Sequence, residues 1–523
     1  MNQFIKRHER NIIGVLSGWD RVRFRGTMRL LSSVGGLMAW LSDRRVRLME
    51  FKPFAMELTA TLKASVEQVA AAAGRPIKYL ASSALSKEDL VQQLLRREGI
   101  AEGLVCVLSC TEPCQSFDIH RNREKRTIDP VRALRKCLHW YLYFLHAQLG
   151  LCHVRIQSWL PFTVHVCVNG REQLCRQLDQ AGLRFTRRDN CLIQVADVAA
   201  AQKWLAAQPW LDWTRILNGL LQRACPALCR LPMRDTTLSY YWSADETEWA
   251  TDVLFRAPAL LAQLYPSLLR QAMTTFSSRE VMRFLGRTRM PARGGVDVRF
   301  QGEVVTHLCE RPEGVRIKHR MNRNSVKMYD KQGSVLRVET TINDARDLGV
   351  YRTSESDPKG TKRWRRLRKG VVDLPRRAEI SQAANMRYLT ALSGVEATTP
   401  LGRVADDVSR PVIHEGRRCR GLNPLTGDDA RLVEVLLHGA FLLNGFRNRD
   451  VRVRLFPQPV DRDQTRRQSG KVTRLLRLYR THGLIRKVNG THRYQLTAKA
   501  RQTLPAFIAA RNASAQKLNQ LVA

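Results

Sequence analysis

Residues 468–497 read QSGKVTRLLRLYRTHGLIRKVNGTHRYQLT, and they decide the fold of the C-terminal part of the chain. The first half has apolar residues three and four positions apart, the spacing of one buried helix face: Val472, Leu475, Leu476 and Tyr479. The opposite face is basic and also carries small residues: Arg466, Gly470, Thr473, Arg474 and Arg477. Arginine binds guanine edges and phosphates, and small residues permit close approach, so this face suits the major groove of DNA.

The second half, after His482-Gly483, predicts a β-hairpin that turns at Asn489-Gly490. Near its tip the hairpin carries Arg486, Lys487, His492 and Arg493. A helix followed by such a hairpin resembles the winged-helix DNA-binding domains. The resemblance implies a recognition helix in the major groove and a hairpin that touches the DNA backbone or the minor groove. A winged helix that contacts proteins is the alternative.

The composition of the whole chain points to a polyanionic partner. It has 523 residues, with 87 lysines and arginines against 47 aspartates and glutamates, a formal net charge of +40. Such an excess of positive charge is usually matched to phosphates, so we expect a nucleic acid, with DNA favoured over RNA. A generally basic surface or an anionic membrane is the alternative, but no apolar run is long enough for a membrane span. We expect no secretory signal and a cytoplasmic location, and a homodimer is possible.

The remaining patterns predict an α/β multidomain chain. Residues 1–100 form a helical region, 101–210 an α/β domain, 211–350 a mixed helical and β-hairpin domain, 351–420 a basic connector and 421–523 the winged helix. Within the second domain, apolar Leu134, Leu138, Leu142 and Leu145 predict a helix from Pro130 to Leu149. The resulting order of strands and helices is compatible with a ferredoxin-like split βαβ sheet.

The twelve cysteines are scattered, as is typical of a reducing compartment. Cys106, Cys110 and Cys114 are four residues apart, and Cys225 and Cys229 repeat that spacing. Neither group has the CxxC spacing of zinc ribbons, so we expect buried structural thiols rather than a metal site. His165 stands alone on a predicted strand, and we expect it to be structural.

Two further segments are candidate nucleic-acid contacts. Residues 19–27 alternate arginine with apolar residues, which predicts a strand or extended arm with Arg21, Arg23 and Arg25 on one face. That face suits a phosphate backbone or a solvated edge equally well. The run between Asp357 and Arg377 includes Arg363, Trp364, Arg365 and Arg366, and an exposed tryptophan among arginines could stack on unpaired bases.

The stretch VKMYDKQGSVLRVETTI, residues 326–342, lies among basic residues: Arg316, Lys318, Arg320, Arg323 and Lys327. It resembles the YDK…RVE hairpin of some rolling-circle replication initiators of plasmids and phages. That resemblance implies that Glu339 binds a divalent metal, Mg²⁺ or Mn²⁺, and that a separate tyrosine attacks DNA, for which Tyr351 and Tyr388 lie downstream. A basic hairpin that binds nucleic acid without cutting it is the alternative.

An acidic cluster, residues 243–252, is the last candidate site. If Ser243 caps a helix, Glu248 and Asp252 lie on one face and could share a Mg²⁺, together with Glu339. Alternatively, these acids merely complement the helix dipole.

Three functions are therefore open. The first is DNA replication initiation or transposition of a bacterial mobile element, with metal-dependent strand cleavage. The second is transcription regulation without catalysis, and the third is binding of structured RNA.

Overall fold

The computed structural model of this protein describes residues 2–82, 85–122, 127–233, 236–286, 302–311, 314–354, 357, 360–393, 401–414, 416–437, 441, 445–488 and 490–514. The fold is α/β. Its helices are α1 Gln3–Arg7, α2 Val34–Asp43, α3 Phe51–Ala72, α4 Lys87–Glu98, α5 Gly170–Gln180, α6 Val198–Ala207, α7 Trp213–Ala224, α8 Pro258–Thr275, α9 Ser278–Phe284, α10 Leu374–Leu392, α11 Leu401–Ser409, α12 Gly427–Leu436, α13 Asn448–Leu455, α14 Arg462–Thr481 and α15 Ala498–Asn512.

The strands follow the same chain order. They are β1 Ile12–Met28, β2 Ile77–Tyr79, β3 Gly103–Asn122, β4 Thr127–His146, β5 Gly150–Gln157, β6 Val164–Asn169, β7 Phe185–Arg188, β8 Cys191–Val195, β9 Pro232–Met233, β10 Thr236–Thr237, β11 Tyr240–Phe255, β12 Val304–Arg311, β13 Gly314–Met321, β14 Asn324–Lys331, β15 Val335–Ile342, β16 Gly349–Arg352, β17 Arg363–Arg366, β18 Val412–His414, β19 Arg417–Cys419, β20 Phe446–Arg447, β21 Ile485–Lys487 and β22 Arg493–Leu496.

The chain divides into two compact units, each built from separated segments. The sheet unit comprises Ile12–Arg256 and Ser334–Asn385. The C-terminal unit comprises Met1–Asn11, Ala257–Gly333 and Met386–Ala523. The domains expected from the sequence were continuous segments, whereas each unit gathers residues that are hundreds of positions apart.

A mixed sheet forms the centre of the sheet unit, with strands in the order β15-β11-β1-β6-β5-β4-β3-β2. Only the pairing of β2 with β3 is parallel among these neighbours. The predicted strand with alternating arginines is confirmed as part of β1, but it lies between β11 and β6 in the interior of the sheet. It is therefore neither an edge nor an extended arm.

Helices cover both faces of this sheet. On one face, α2, α3 and α7 pack on a large core that includes Phe24, Leu142 and Val166. On the other, α4 packs over β3 and β4, while α5 and α6 pack over one end of β1. Gly18 allows this close approach, because a Cβ there would lie 2.7 Å from a methyl carbon of Leu205 on α6.

The helix predicted from Pro130 to Leu149 is wrong, because this segment is strand β4. Leu134, Leu138 and Leu142 lie an even number of residues apart and therefore share one face of this strand, whereas Leu145 lies on the other face. Trp140, Leu142 and Phe144 alternate with Tyr141 and Tyr143, so every second residue enters the core under α2, α3 and α7. With a strand in place of that helix, the element order expected for a split βαβ sheet does not occur over 101–210.

The C-terminal unit contains two described parts. In the first, β12, β13 and β14 form an antiparallel meander that contacts α9, and α8 contacts β13. In the second, residues 401–512 enclose a core of their own, in which α12, α13 and α14 pack on the three-stranded sheet β20-β22-β21. Among the described residues, no helix has the length and apolar character to cross a membrane.

Candidate functional site

Helix α14 has the two faces that its sequence predicts. Val472, Leu475, Leu476 and Tyr479 are buried, and the Tyr479 hydroxyl donates a hydrogen bond to the carbonyl oxygen of Asp429, 2.8 Å away. On the opposite face, the side chains of Arg466, Arg474 and Arg477 are exposed. None of the carboxylates that the structure describes pairs with these three arginines. Within the described part of the chain, they form a row of cations on one helix without an acidic partner.

Thr473 lies on the same face, but its hydroxyl is already engaged within the protein. It donates to the carbonyl oxygen of Ser469 and accepts from the side-chain amide of Asn448, both at 2.9 Å. The bond from Asn448, the first residue of α13, connects α13 to α14. Thr473 therefore helps to fix the angle between the two helices, a role that its position in the sequence did not indicate.

The hairpin β21–β22 continues the basic surface. Arg486, Lys487 and His492 are exposed, and Arg493 is half-buried. A cleft of about 400 Å³ lies between the start of α13, helix α14 and the hairpin, and its lining includes Arg449, Thr473, Lys487 and His492. Asn489, in the predicted turn, lies outside the described residues.

The basic residues near the YDK…RVE stretch occupy one part of the C-terminal unit. Arg316, Lys318 and Arg320 alternate on β13 with inward-facing Ile317, His319 and Met321. Lys318 pairs in register with Lys327 on β14, and Arg323 is exposed in the turn between the strands. This face is basic as expected, although Lys327 is buried.

In the sheet unit, β16 and β17 form a hairpin, and all four residues of the arginine-rich strand β17 are exposed: Arg363, Trp364, Arg365 and Arg366. Trp364 and Tyr351 pair across the hairpin with ring centroids 5.7 Å apart, and each is 57% exposed. The expectation that Trp364 is exposed is confirmed. An exposed aromatic pair beside arginines is a surface on which unpaired bases can stack.

The helix predicted to begin at Ser243 is wrong, since residues 240–255 form strand β11. Glu248 and Asp252 are thus four residues apart along a strand rather than one turn apart on a helix. The acids of β11 instead neutralise the arginines of β1. Arg21 binds Glu246 at 2.6 Å and Glu248 at 3.3 Å, and Arg23 lies 3.8 Å from Asp245.

Asp252 belongs to a buried ionic cluster. Arg337 on β15 binds both of its oxygens, at 2.6 and 2.9 Å, and Arg171 lies 3.0 Å from it. Arg337 also binds Asp20, 3.1 Å away. Burial raises the pKa of Asp20, Arg337 opposes this shift, and nearby Glu339 adds to it.

The predicted three-carboxylate metal site does not form. Glu339 is 2% exposed, Asp252 is held by two arginines, and Glu248 pairs with Arg21. Within the described ranges, the one group of at least three histidine, cysteine or acidic ligand atoms that all lie within 4.8 Å is Cys114, Cys137 and His139.

Tyr388 is not placed as a nucleophile. It is fully buried in the C-terminal unit among Phe276, Phe284 and His319, and its hydroxyl lies 3.1 Å from Nε2 of His319. Burial raises the pKa of Tyr388 well above its usual value. A phosphate cannot reach this hydroxyl without local unfolding, so Tyr388 is a core residue.

A polar cleft of about 600 Å³ in the sheet unit was missed by the sequence reasoning. Its floor is the face of β1, β4, β5 and β6 that α4 leaves open. The lining alternates with apolar residues that point into the core: Arg21, Arg23, Glu88, Glu112, Tyr141, Tyr143, His153, Arg155, His165, Cys167 and Glu246. The signal in the sequence is this alternation, as in Tyr141-Leu142-Tyr143 and His153-Val154-Arg155, whereas His165 taken alone indicates only a structural residue.

Hydrogen bonds connect much of the cleft floor. Arg155 donates two bonds to Glu112, at 2.7 and 3.1 Å, and Tyr141 donates to the same carboxylate at 2.7 Å. Burial alone would raise the pKa of Glu112, but bonds from Tyr141, Cys110 and Arg155 lower it to about 2. Arg155 also lies 3.1 Å from Nδ1 of His165, so His165 belongs to a polar network rather than standing alone.

The imidazoles on this face are held neutral. Burial lowers the pKa of His153 to about 4 and also lowers that of His165, which Asp245 partly offsets. The hydrogen bond from His165 lowers the pKa of Asp245 to about 2. The cleft thus offers neutral imidazoles and phenols between fixed charges, groups that can donate and accept hydrogen bonds with a polar ligand.

Comparison with known proteins adds no assignment: no protein-family model, no curated protein and no solved structure matches this chain.

Proposed function

We propose that this chain is a DNA-binding protein that binds duplex DNA through residues 421–514, with α14 in the major groove. The row of exposed arginines on α14, opposite its buried stripe, carries the proposal. An α-helix fits the major groove, and arginine binds guanine edges and phosphates there with two parallel hydrogen bonds. The net charge of +40 supports a polyanionic partner.

The order of elements around α14 also supports the proposal. Helix α12, strand β20, helices α13 and α14, and strands β21 and β22 follow one another, with β22 between its two neighbours in the sheet. In a winged helix the third helix of this order enters the major groove, and the final hairpin contacts the flanking backbone. Lys487 and His492 are exposed on that hairpin.

Strand cleavage is left out of the proposal, because Glu248 and Asp252 are engaged by arginines and Tyr388 is buried. The proposed binding would serve two functions: site recognition during replication or transposition of a mobile element, and transcription regulation. A cleavage assay with Mg²⁺ or Mn²⁺ separates the two functions, because only the first is expected to include strand cleavage.

Binding of the full-length protein to labelled duplex DNA at several salt concentrations tests the proposal. The logarithm of the association constant falls linearly with the logarithm of the salt concentration, and each phosphate contact contributes about 0.9 to the steepness of that fall. If Arg474 and Arg477 both contact phosphates, the double variant Arg474→Ala/Arg477→Ala should make the fall less steep by about 1.8. The matched control is Arg431→Ala/Arg511→Ala, which removes the same charge from residues that pair with Asp428 and Glu434.

We expect the control to bind with a slope close to that of the unchanged protein. An equal loss in both double variants would mean that only total charge matters, and would overturn the placement of α14. Tighter binding of structured RNA than of duplex DNA at the same salt concentration would replace the proposal with RNA binding.

A further inference from the structure

The neighbouring strands β3 and β4 of the sheet unit bring together two thiols and an imidazole. The sulfur atoms of Cys114 and Cys137 are 3.0 Å apart, and Nδ1 of His139 lies 4.0 Å from the sulfur of Cys137. One ligand atom from each residue lies within 4.8 Å of the other two. Cys114 and Cys137 are 23 positions apart in the sequence, so no short sequence motif contains all three residues.

In the part of the chain that the structure describes, His139 offers a buried ring nitrogen without a partner beside the two thiols. Its Nδ1 lies 3.1 Å from the carbonyl oxygen of Cys137, and such a bond from the non-ligating nitrogen fixes the ring and its tautomer in many metal sites. The side chain is fully buried, yet Nε2 has no hydrogen-bond partner among the described residues. A buried polar nitrogen without a partner destabilises the fold, and a bound cation would remove that penalty.

The register of the strands argues against a disulfide between the two cysteines. Cys114 pairs with Arg135, and Cys137 pairs with Glu112, so the two cysteines are diagonal neighbours. Diagonal neighbours in an antiparallel pair are about 7–8 Å apart at Cα, whereas a disulfide usually needs about 4.4–6.8 Å. Two thiolates that share a metal ion need a sulfur separation of roughly 3.8 Å, given metal–sulfur bonds of about 2.3 Å, which a small outward movement of the sulfurs would provide.

We propose that Cys114, Cys137 and His139 bind a zinc ion. Thiolate and imidazole ligands select zinc over Mg²⁺ or Mn²⁺, which prefer oxygen. Three protein ligands leave the fourth tetrahedral position to water or another small ligand. Cys137 is only half-buried, so solvent reaches this side of the site.

The site would stabilise the floor of the polar cleft. Glu112, which lines the cleft, is the cross-strand partner of Cys137 and lies two residues from Cys114. A cation that joins β3 to β4 at this point fixes the backbone from which Glu112 and Tyr141 extend. This zinc site is independent of the proposed DNA binding, because all its ligands belong to the sheet unit.

The test uses full-length protein purified under reducing conditions without chelator. We expect one zinc ion per chain by inductively coupled plasma mass spectrometry. Replacement by Co²⁺ should give sulfur-to-metal charge-transfer absorption in the near ultraviolet and the visible bands of tetrahedral cobalt. Cys137→Ser and His139→Gln should lose both signals. Cys229→Ser removes a half-buried thiol elsewhere in the sheet unit, and Cys110→Ser removes the thiol directly opposite His139 in register; both should retain the metal.

Alkylation of the unchanged protein provides a readout that does not depend on the folding of any variant. With zinc bound, Cys114 and Cys137 should react with iodoacetamide at least tenfold more slowly than after chelation, whereas the rate at Cys229 should not change. Absence of zinc with a Cys114–Cys137 disulfide in the peptide map would overturn the proposal. Another stoichiometric metal, or equal metal loss in all four variants, would do so as well.

Discussion

Replacing Arg337 by methionine should destabilise the sheet unit strongly. This guanidinium is fully buried, and it donates hydrogen bonds to both oxygens of Asp252, to Asp20 and to the carbonyl oxygen of Asn190.

 The four bonds to Asp252, Asp20 and Asn190 are 2.6 to 3.1 Å long. Removing one partner of a buried ionic cluster typically costs about 3–5 kcal/mol, because the remaining charges stay buried without compensation.

The size of this stability loss follows from the two carboxylates that stay buried when Arg337 is removed. Without Arg337, Asp252 keeps Arg171 at 3.0 Å, whereas Asp20 keeps the hydrogen bonds from the side-chain amide of Asn190 and the more distant charge of Arg171. The pKa of Asp20, already raised by burial, should rise further, so this carboxyl would take up a proton on folding. Because a raised pKa in the folded state favours folding at low pH, the loss of stability should be larger at about pH 8 than at about pH 5.

Scanning calorimetry and urea unfolding measure the effect, and hydrogen exchange along β1, β11 and β15 locates it. The control is Arg346→Met, because the Arg346 side chain is 67% exposed and solvent can take its place beside Asp344, which lies 2.7 Å away. This change should cost much less than Arg337→Met. The double variant Arg337→Met/Asp20→Asn should be more stable than Arg337→Met alone. If Arg337→Met lowers the free energy of unfolding no more than the control does, the cluster does not stabilise the fold. A catalytic role for the Arg337-Val338-Glu339 stretch would then have to be tested.

Two further predictions concern a titrating core residue and an exposed aromatic pair. Burial lowers the pKa of His319 to about 3, so the folded C-terminal unit holds this ring in its neutral form. The full stability is present above about pH 6.5, the pKa of an unfolded histidine, and it falls as the pH drops towards 3. At about pH 5 the free energy of unfolding should be lower by about 2 kcal/mol. Urea unfolding above about pH 6.5 and at about pH 5 should therefore show that His319→Gln loses less stability on acidification than the unchanged protein. An equal loss of stability in the two proteins would contradict this role of His319. Trp364→Ala should weaken binding of single-stranded DNA or RNA by about 1–3 kcal/mol through lost stacking, as measured by fluorescence anisotropy. Trp210→Ala, which removes another exposed tryptophan, should have no effect, and equal effects of the two variants would rule out a stacking role for the β16–β17 hairpin.

Local patterns in the sequence were sufficient where one element decides its own structure. The buried stripe of α14 and the alternating arginines of β1 were both predicted from periodicity, because a helix or strand that packs on a core must repeat its apolar residues with the period of its backbone. The exposure of Trp364 followed from its arginine neighbours in the same way.

Periodicity failed where long strands imitate a helix. Leu134, Leu138 and Leu142 have a helical spacing, yet β4 is a strand because it pairs with β3 and β5 along its length. The acids of β11 looked like the first turn of a helix, but they are the cross-strand partners of Arg21 and Arg23. In both cases the partner strand, not the local spacing, decided the structure.

The sequence by itself determined that this chain is an α/β protein with a strong positive charge, and it determined the two faces of α14. Only the tertiary structure decided that Tyr388 is buried, that Arg337 holds Asp20 and Asp252, and that a polar cleft opens on the sheet. It also decided that Cys114 meets Cys137 and His139. The physical reason is that strand register brings together side chains that are tens to hundreds of residues apart, and the register is set by packing over the whole sheet rather than by any short stretch of sequence.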